Sequence, residues 1–361
     1  MPFHAIPLLA VAIVGVAVAT AFQPAAAEEP AQDRVRLLDG SEIRGEITDM
    51  SPNSLTLETK DGSSSVSIEA VREVRFGGEP DGLRDARTLV LRRDGTAALA
   101  ELETIDADEL READAEIRDD VSFVKAAATA LQALATGTDL ARGQKLAADF
   151  VAAHPRSVHL YAMQELLGDL LAAQGRPVDA ARAYDALAGG PPAVAVRAAT
   201  RKADLQFREG RFAEAQRGYE AAAKAAAGIK GKAGLRSVRQ ADLGRARCLI
   251  SQERAADAVA AVSAILAGDD ADAATLGGVF NVLGAAQRAL PGHEQDALIA
   301  FLTVDLVHNE VAEDHAEALF NLVELWEQVN FPERAREARQ ALETTYPQSP
   351  WTKRLRPAKA S

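Results

Sequence analysis

From position 33 to position 77 apolar and polar residues alternate with a period of two. Ile43, Gly45 and Ile47 form one such set. Leu55 and Leu57, Val66 and Ile68, and Val71, Val74 and Phe76 form the next three. Successive side chains of a strand point to opposite faces, so the alternation predicts short strands with one buried face. Asp39-Gly40-Ser41 and Asp61-Gly62 supply turns between them. Four or five strands in this stretch predict a small all-β module over 28–78.

The period lengthens after Gly77-Gly78-Glu79-Pro80. Leu83, Ala86 and Val90, then Ala98, Leu102 and Ile105, recur at helical spacing. Asp94-Gly95 leaves a hairpin open as the competing reading, because Leu89, Leu91 and Leu99 also suit strands. The helical pair is preferred, and 79–116 is read as a degenerate helical unit. From Ile117 onward the spacing is helical.

Within that helical region one segment is followed, 35 positions later, by a second version of itself. Residues 166–184 read LLGDLLAAQGRPVDAARAY and residues 201–219 read RKADLQFREGRFAEAQRGY. A fixed period of this size marks stacked supersecondary units. Gly168, Gly175, Ala180 and Tyr184 correspond to Ala203, Gly210, Ala215 and Tyr219. These roles, with Pro192 closing the first unit, resemble the tetratricopeptide repeat (TPR). Small residues let paired helices approach, a Gly ends the first helix, and the ring fills the gap between neighbours.

Weaker units follow at Ala246, Ala258 and Val262, at Gly284 or Ala285 with Ala297 and Phe301, and at Val323 with Ala335 and Pro347. A degenerate unit precedes the matched pair. The fold class expected is therefore mainly α, a right-handed α-solenoid of TPR-like hairpins over 117–361. The β module resembles small bacterial Sm-like or Src-homology-type barrels, on its DGS turn and I-x-G-x-I strand, so a closed barrel is expected ahead of the array. The YPQSPW ending at 346–351 resembles closing repeats of periplasmic members that assist cell-envelope assembly.

The TPR resemblance implies that the first helix of each unit lines a concave face that holds a protein or peptide. By that pattern the candidate contact residues are Glu165, Asp169, Arg197, Asp204, Arg208, Arg247, Phe320 and Glu324. Such arrays mostly bind rather than catalyse. The leading expectation is a noncatalytic exported adaptor. The alternative is a structural envelope protein that self-associates or holds cell-wall polymer.

The N-terminus supports export. Met1–Ala27 carries no Asp, Glu, Lys or Arg, Ile6–Phe22 is apolar, and Ala25-Ala26-Ala27 offers a cleavage site. This is the composition of a signal peptide over 1–27, with the mature chain starting near Glu28 in the periplasm or cell envelope. The competing reading is an uncleaved membrane anchor. Cys248 is the only cysteine, so no intramolecular disulfide forms and no lipid-modified terminus follows cleavage.

A formal net charge of −13 disfavours nonspecific nucleic-acid binding. One stretch departs from it. Between Glu220 and Asp242 there are no acids, but Lys224, Lys230, Lys232, Arg236 and Arg239 are present. The step from Ala215 to Ala258 is eight residues longer than the step before it. This basic insertion is either a longer helix with a solvated connector or a mobile loop that touches an anionic partner. No GxSxG, HExxH or P-loop spacing occurs. His308 and His315 flank an acidic segment that reads as an exposed turn between repeats. No catalytic or metal site and no cofactor is expected.

Overall fold

A computed structural model describes residues 32–268 and 273–355. The apolar N-terminal run and its cleavage site lie outside the described residues. Five antiparallel strands come first: β1 (Asp33–Leu37), β2 (Glu42–Met50), β3 (Ser54–Thr59), β4 (Gly62–Ser67) and β5 (Val71–Arg75). Their order is β4-β3-β2-β1-β5. The first half of β2 pairs with β1 and its second half with β3. Gly45 stands at that division. A Cβ there would lie 2.2 Å from the main-chain oxygen of Glu58, so only glycine lets the bent strand approach.

The barrel expectation is corrected here. β4 and β5 are the two edges and do not pair, so the sheet is open. Helices cover its apolar face instead of strand closure. They begin with α1 (Asp81–Leu91), α2 (Gly95–Leu102), α3 (Ala107–Glu112) and α4 (Ala115–Thr136). Val35, Leu55, Leu57 and Val74 of the sheet, and Phe76 just after it, share one core with Leu83 and Ala86 of α1 and with Ile117, Phe123 and Val124 of α4. At Asp94-Gly95 the helical reading prevails over the hairpin. The Asp94 carboxylate accepts from the Ala97 amide at 2.9 Å and caps α2.

A buried ion cluster sits in this shared core. Arg87 Nε donates to Asp120 at 2.9 Å, Nη2 to Glu79 at 2.8 Å, and Nη1 to the Val74 carbonyl at 2.9 Å. His159 Nε2 lies 2.7 Å from the second Asp120 oxygen, and its ring stacks on Phe123 at 3.8 Å. One guanidinium thus ties the last strand of the sheet to α1 and α4.

Helical hairpins follow. They are α5 (Leu140–Ala153), α6 (Leu160–Ala173), α7 (Pro177–Asp185), α8 (Pro192–Arg208), α9 (Phe212–Ala226), α10 (Lys232–Ser251), α11 (Ala255–Leu266), α12 (Ala273–Arg288), α13 (Glu294–Val307), α14 (Ala312–Gln328), α15 (Pro332–Thr345) and α16 (Pro350–Leu355). Gly175 and Gly210 take φ of +70° and +75°, the left-handed turn that ends α6 and α8. Ala180 and Ala215 are fully buried, and Ala203, Tyr184 and Tyr219 nearly so. A Cβ at Gly168 would meet the Tyr184 ring at 2.3 Å, which is why a glycine stands there. Phe301 crosses Gly284 in the same way, while Tyr219 lies over Gly244 of the next unit.

The basic insertion is not a loop. Lys230 lies in the short connector before α10, and Lys232, Arg236 and Arg239 lie in its first two turns. A Cβ at Gly234 would meet the Ile229 carbonyl at 2.0 Å, so this glycine lets α10 start against the connector. The extra residues lengthen a helix, and at least this glycine serves close packing, not mobility. Cys248 is buried in the array, and burial pushes its thiol up to about 11.

Candidate functional site on the inner face of the array

The first helices of the units, α6, α8, α10, α12 and α14, present a row of ionised side chains to one another. Arg247 of α10 lies 3.9 Å from Glu317 of α14, skipping α12. A pair can bridge two units in this way only where the row curves inward. The ion-paired face is therefore the inner face.

On α6 and α8 the charges interlock. Arg197 Nε is 2.9 Å from Glu165. Arg201 lies one helical turn farther along. Its Nε is 3.5 Å from both Glu165 and Asp169, and its Nη1 is 3.8 Å from Asp204. Tyr184 donates to Asp169 at 2.7 Å, and Tyr219 donates to Asp204 at 2.5 Å. The same tyrosine–aspartate bond thus recurs at the repeat offset. Burial raises the Asp169 carboxyl above the ordinary range despite Arg201 and the Tyr184 hydroxyl. Burial works to lower Arg201, but the charges of Asp169, Glu165 and Asp204 outweigh it, so it holds its proton more firmly than a free guanidinium.

Farther along, Arg288 of α12 reaches Glu324 at 2.7 Å and Asn321 at 3.2 Å. At the start of α14, burial pushes the Asp314 carboxyl up to about 6, with Glu317 and Glu313 adding repulsion and Arg247 opposing it. Glu317 is raised for the same first reason, burial.

Of the eight expected contact residues, Glu165, Asp169, Arg197, Asp204, Arg247 and Glu324 lie in these inner-face pairs. Arg208 is exposed at the C-terminal end of α8. Phe320 does not offer a contact surface. It is 6% exposed, packs on Trp351 at 5.3 Å, and has the Arg354 guanidinium 5.0 Å above its ring. The turn after Pro347 folds α16 back across α14 and covers it. Sequence reasoning missed Arg201, Asn281, Arg288, Asp314 and Glu317. Arg201 was legible as the residue one turn beyond Arg197 on the same face. The segment between His308 and His315, read as an exposed turn, becomes helix at Ala312 and draws Asp314 inward. His315 bonds Asp305 at 2.7 Å and Tyr346 at 2.9 Å, both within the last two units.

No protein-family model matches the chain, and no curated protein matches it. Solved structures do. A Rap protein complexed with competence and sporulation factor is similar over 75% of this chain and 76% of its own, at 14% identity and a TM-score of 0.51. NprR in complex with its cognate peptide NprX is similar over 76% of this chain and 80% of its own, at 12% identity and a TM-score of 0.43. The C-terminal part of a TPR repeat-containing protein from Cytophaga hutchinsonii is similar over 75% of this chain and 98% of its own, at 12% identity and a TM-score of 0.39. The Rap likeness shows that the fold is a TPR-like helical array.

Proposed function

We propose that this protein is a noncatalytic adaptor that holds a peptide or an extended protein segment along the inner face of its helical array. The observation that carries this reading is the arrangement around Arg201. Its guanidinium is shared among Glu165, Asp169 and Asp204 at 3.5–3.8 Å, longer than the usual charge-assisted bond. Half-buried charges held at such distances have unused bonding capacity. An extended chain presents both amide donors and carbonyl acceptors, which suits a face carrying both signs. The Rap structure, solved in complex with competence and sporulation factor, supports the same reading by likeness of fold. The charge-poor N-terminal run supports action outside the cytoplasm, in the periplasm or envelope.

An immobilised library of 15-residue peptides, probed with the labelled mature chain, tests the proposal. Selected peptides are then measured by fluorescence anisotropy against the parent and the Arg197→Ala/Arg201→Ala variant. At least a tenfold loss is expected for the variant, with circular dichroism unchanged. Absence of any binding peptide, or equal affinity for parent and variant, overturns the proposal.

A further inference from the structure

The inner face contains one place built from acceptors. Its floor is α12, where Gly277 and Gly278 leave no side chain. A methyl at Gly277 would lie 3.0 Å from the Asp314 carboxylate, so α14 packs its first turn directly onto that bare backbone. Arg247 of α10 reaches Glu317 of α14 at 3.9 Å. Asn281 lies one turn along from the two glycines and is fully buried. Its Nδ2 donates to the Asp314 main-chain oxygen at 2.8 Å. The Oδ1 of the same amide has no hydrogen-bond partner among the described residues. A buried acceptor without a donor is costly, and native folds retain few of them.

We propose that Asn281, Asp314 and Glu317 form a subsite for a basic side chain, the guanidinium or ammonium of an arginine or lysine in the bound peptide. This rests on the peptide-binding reading above and names the ligand chemistry for one end of the groove. Asp314 and Glu317, with Glu313 adding its own negative charge, face Arg247 of α10, and Glu317 also faces Arg354 of α16. Burial raises both Asp314 and Glu317, so each lacks the full neutralisation that an adjacent cation supplies. A guanidinium provides that charge and also donates along several directions. One of its N–H groups satisfies Asn281 Oδ1 while others reach the carboxylates. Arg247 is the resident competitor. Its 3.9 Å separation from Glu317 is too long for a hydrogen bond, and its side chain is 43% exposed, so an incoming cation displaces it at little cost.

The probes are five fluorescein-labelled 12-residue peptides of one Ser/Ala/Leu sequence. Four are acetylated and amidated and carry two central residues that are Arg, Lys, citrulline or Glu. The fifth has a neutral centre and a free N-terminal amine. Anisotropy with the parent chain is expected to give the Arg and Lys peptides at least tenfold tighter binding than the citrulline and Glu peptides. Glu317→Gln should bring the Arg peptide to the citrulline level, and Arg247→Ala should tighten it severalfold. Circular dichroism confirms that both variants are folded. Equal binding of Arg and citrulline peptides by the parent overturns the cation subsite and leaves the groove standing. Preference for the free-amine peptide alone overturns the side-chain assignment. Failure of all five peptides, and of the 15-residue library, overturns both readings.

Discussion

Asp120 and Asp314 are both aspartates drawn into helix packing, and their neighbours move them in opposite directions. Burial works to raise each. At Asp120 the hydrogen bond and charge of His159, with Arg87 beyond it, outweigh burial and hold the carboxyl below its ordinary range. At Asp314 burial wins, and Glu317 and Glu313 add to it. The first site has a donor for every acceptor and joins a sheet to a helical core. The second has acids in excess and an amide oxygen unmatched. A fully partnered ion cluster specifies how elements dock, whereas an under-neutralised one stays available for a ligand.

The sharpest way to break this contrast is Asp120→Ala. It leaves Arg87 buried with only Glu79 as counter-ion and removes the partner of His159. Removing one member of a buried pair costs about 3–5 kcal/mol. A matching fall in stability is expected by urea denaturation, and Asp120→Asn should recover part of it. A variant as stable as the parent would show that the cluster is not what joins sheet to helices.

A somewhat smaller loss is expected inside the repeats. Ala180 of α7 is fully buried, so Ala180→Glu both overpacks the site and desolvates a charge. About 3 kcal/mol should be lost. Because repeat units touch mainly their neighbours, hydrogen-exchange protection should fall in α6–α9 and persist in the sheet. Loss of protection in the sheet as well would mean that the two regions fold as one.

How far these regions were legible follows from the range of the forces that make them. Gly175, Gly210, Ala180 and Tyr184 announce themselves in sequence because each acts within one helical hairpin and recurs at a fixed step. The strands were legible for the same local reason. Barrel closure was not, because it depends on whether β4 meets β5 or helices α1 and α4 reach the apolar face first. The inner-face pairs were half legible. Glu165 and Arg197 follow from register, but Asp314 depends on Arg247 and Asn281 from two other units, and no short window of sequence contains all three. Phe320 fits the groove pattern by register, and only the return of α16 removes it.

The smallest expected effect isolates the electrostatic half of the comparison. Above pH 6 Asp314 is ionised in both folded and unfolded chains, and folding bears the cost of its burial. Between about pH 6 and its unfolded value near 4 the folded chain binds the proton and the unfolded chain does not, so stability rises as the pH falls through that window. Asp169, Asp242 and Glu317, also raised, contribute in the same sense. Asp120 does the reverse. Its contribution is present above its unfolded value and is lost only as the pH falls below that value through its depressed folded one. Asp314→Asn keeps an acceptor for the Gly278 amide and removes the charge that Glu313 and Glu317 repel. It should stabilise the chain by about 1 kcal/mol at pH 7.5, a partial realisation of the shift given solvent screening, and by almost nothing at pH 4.5. Melting temperatures of parent and variant at the two pH values measure that difference. A gain of equal size at both would assign the effect to packing and remove the electrostatic distinction between Asp314 and Asp120.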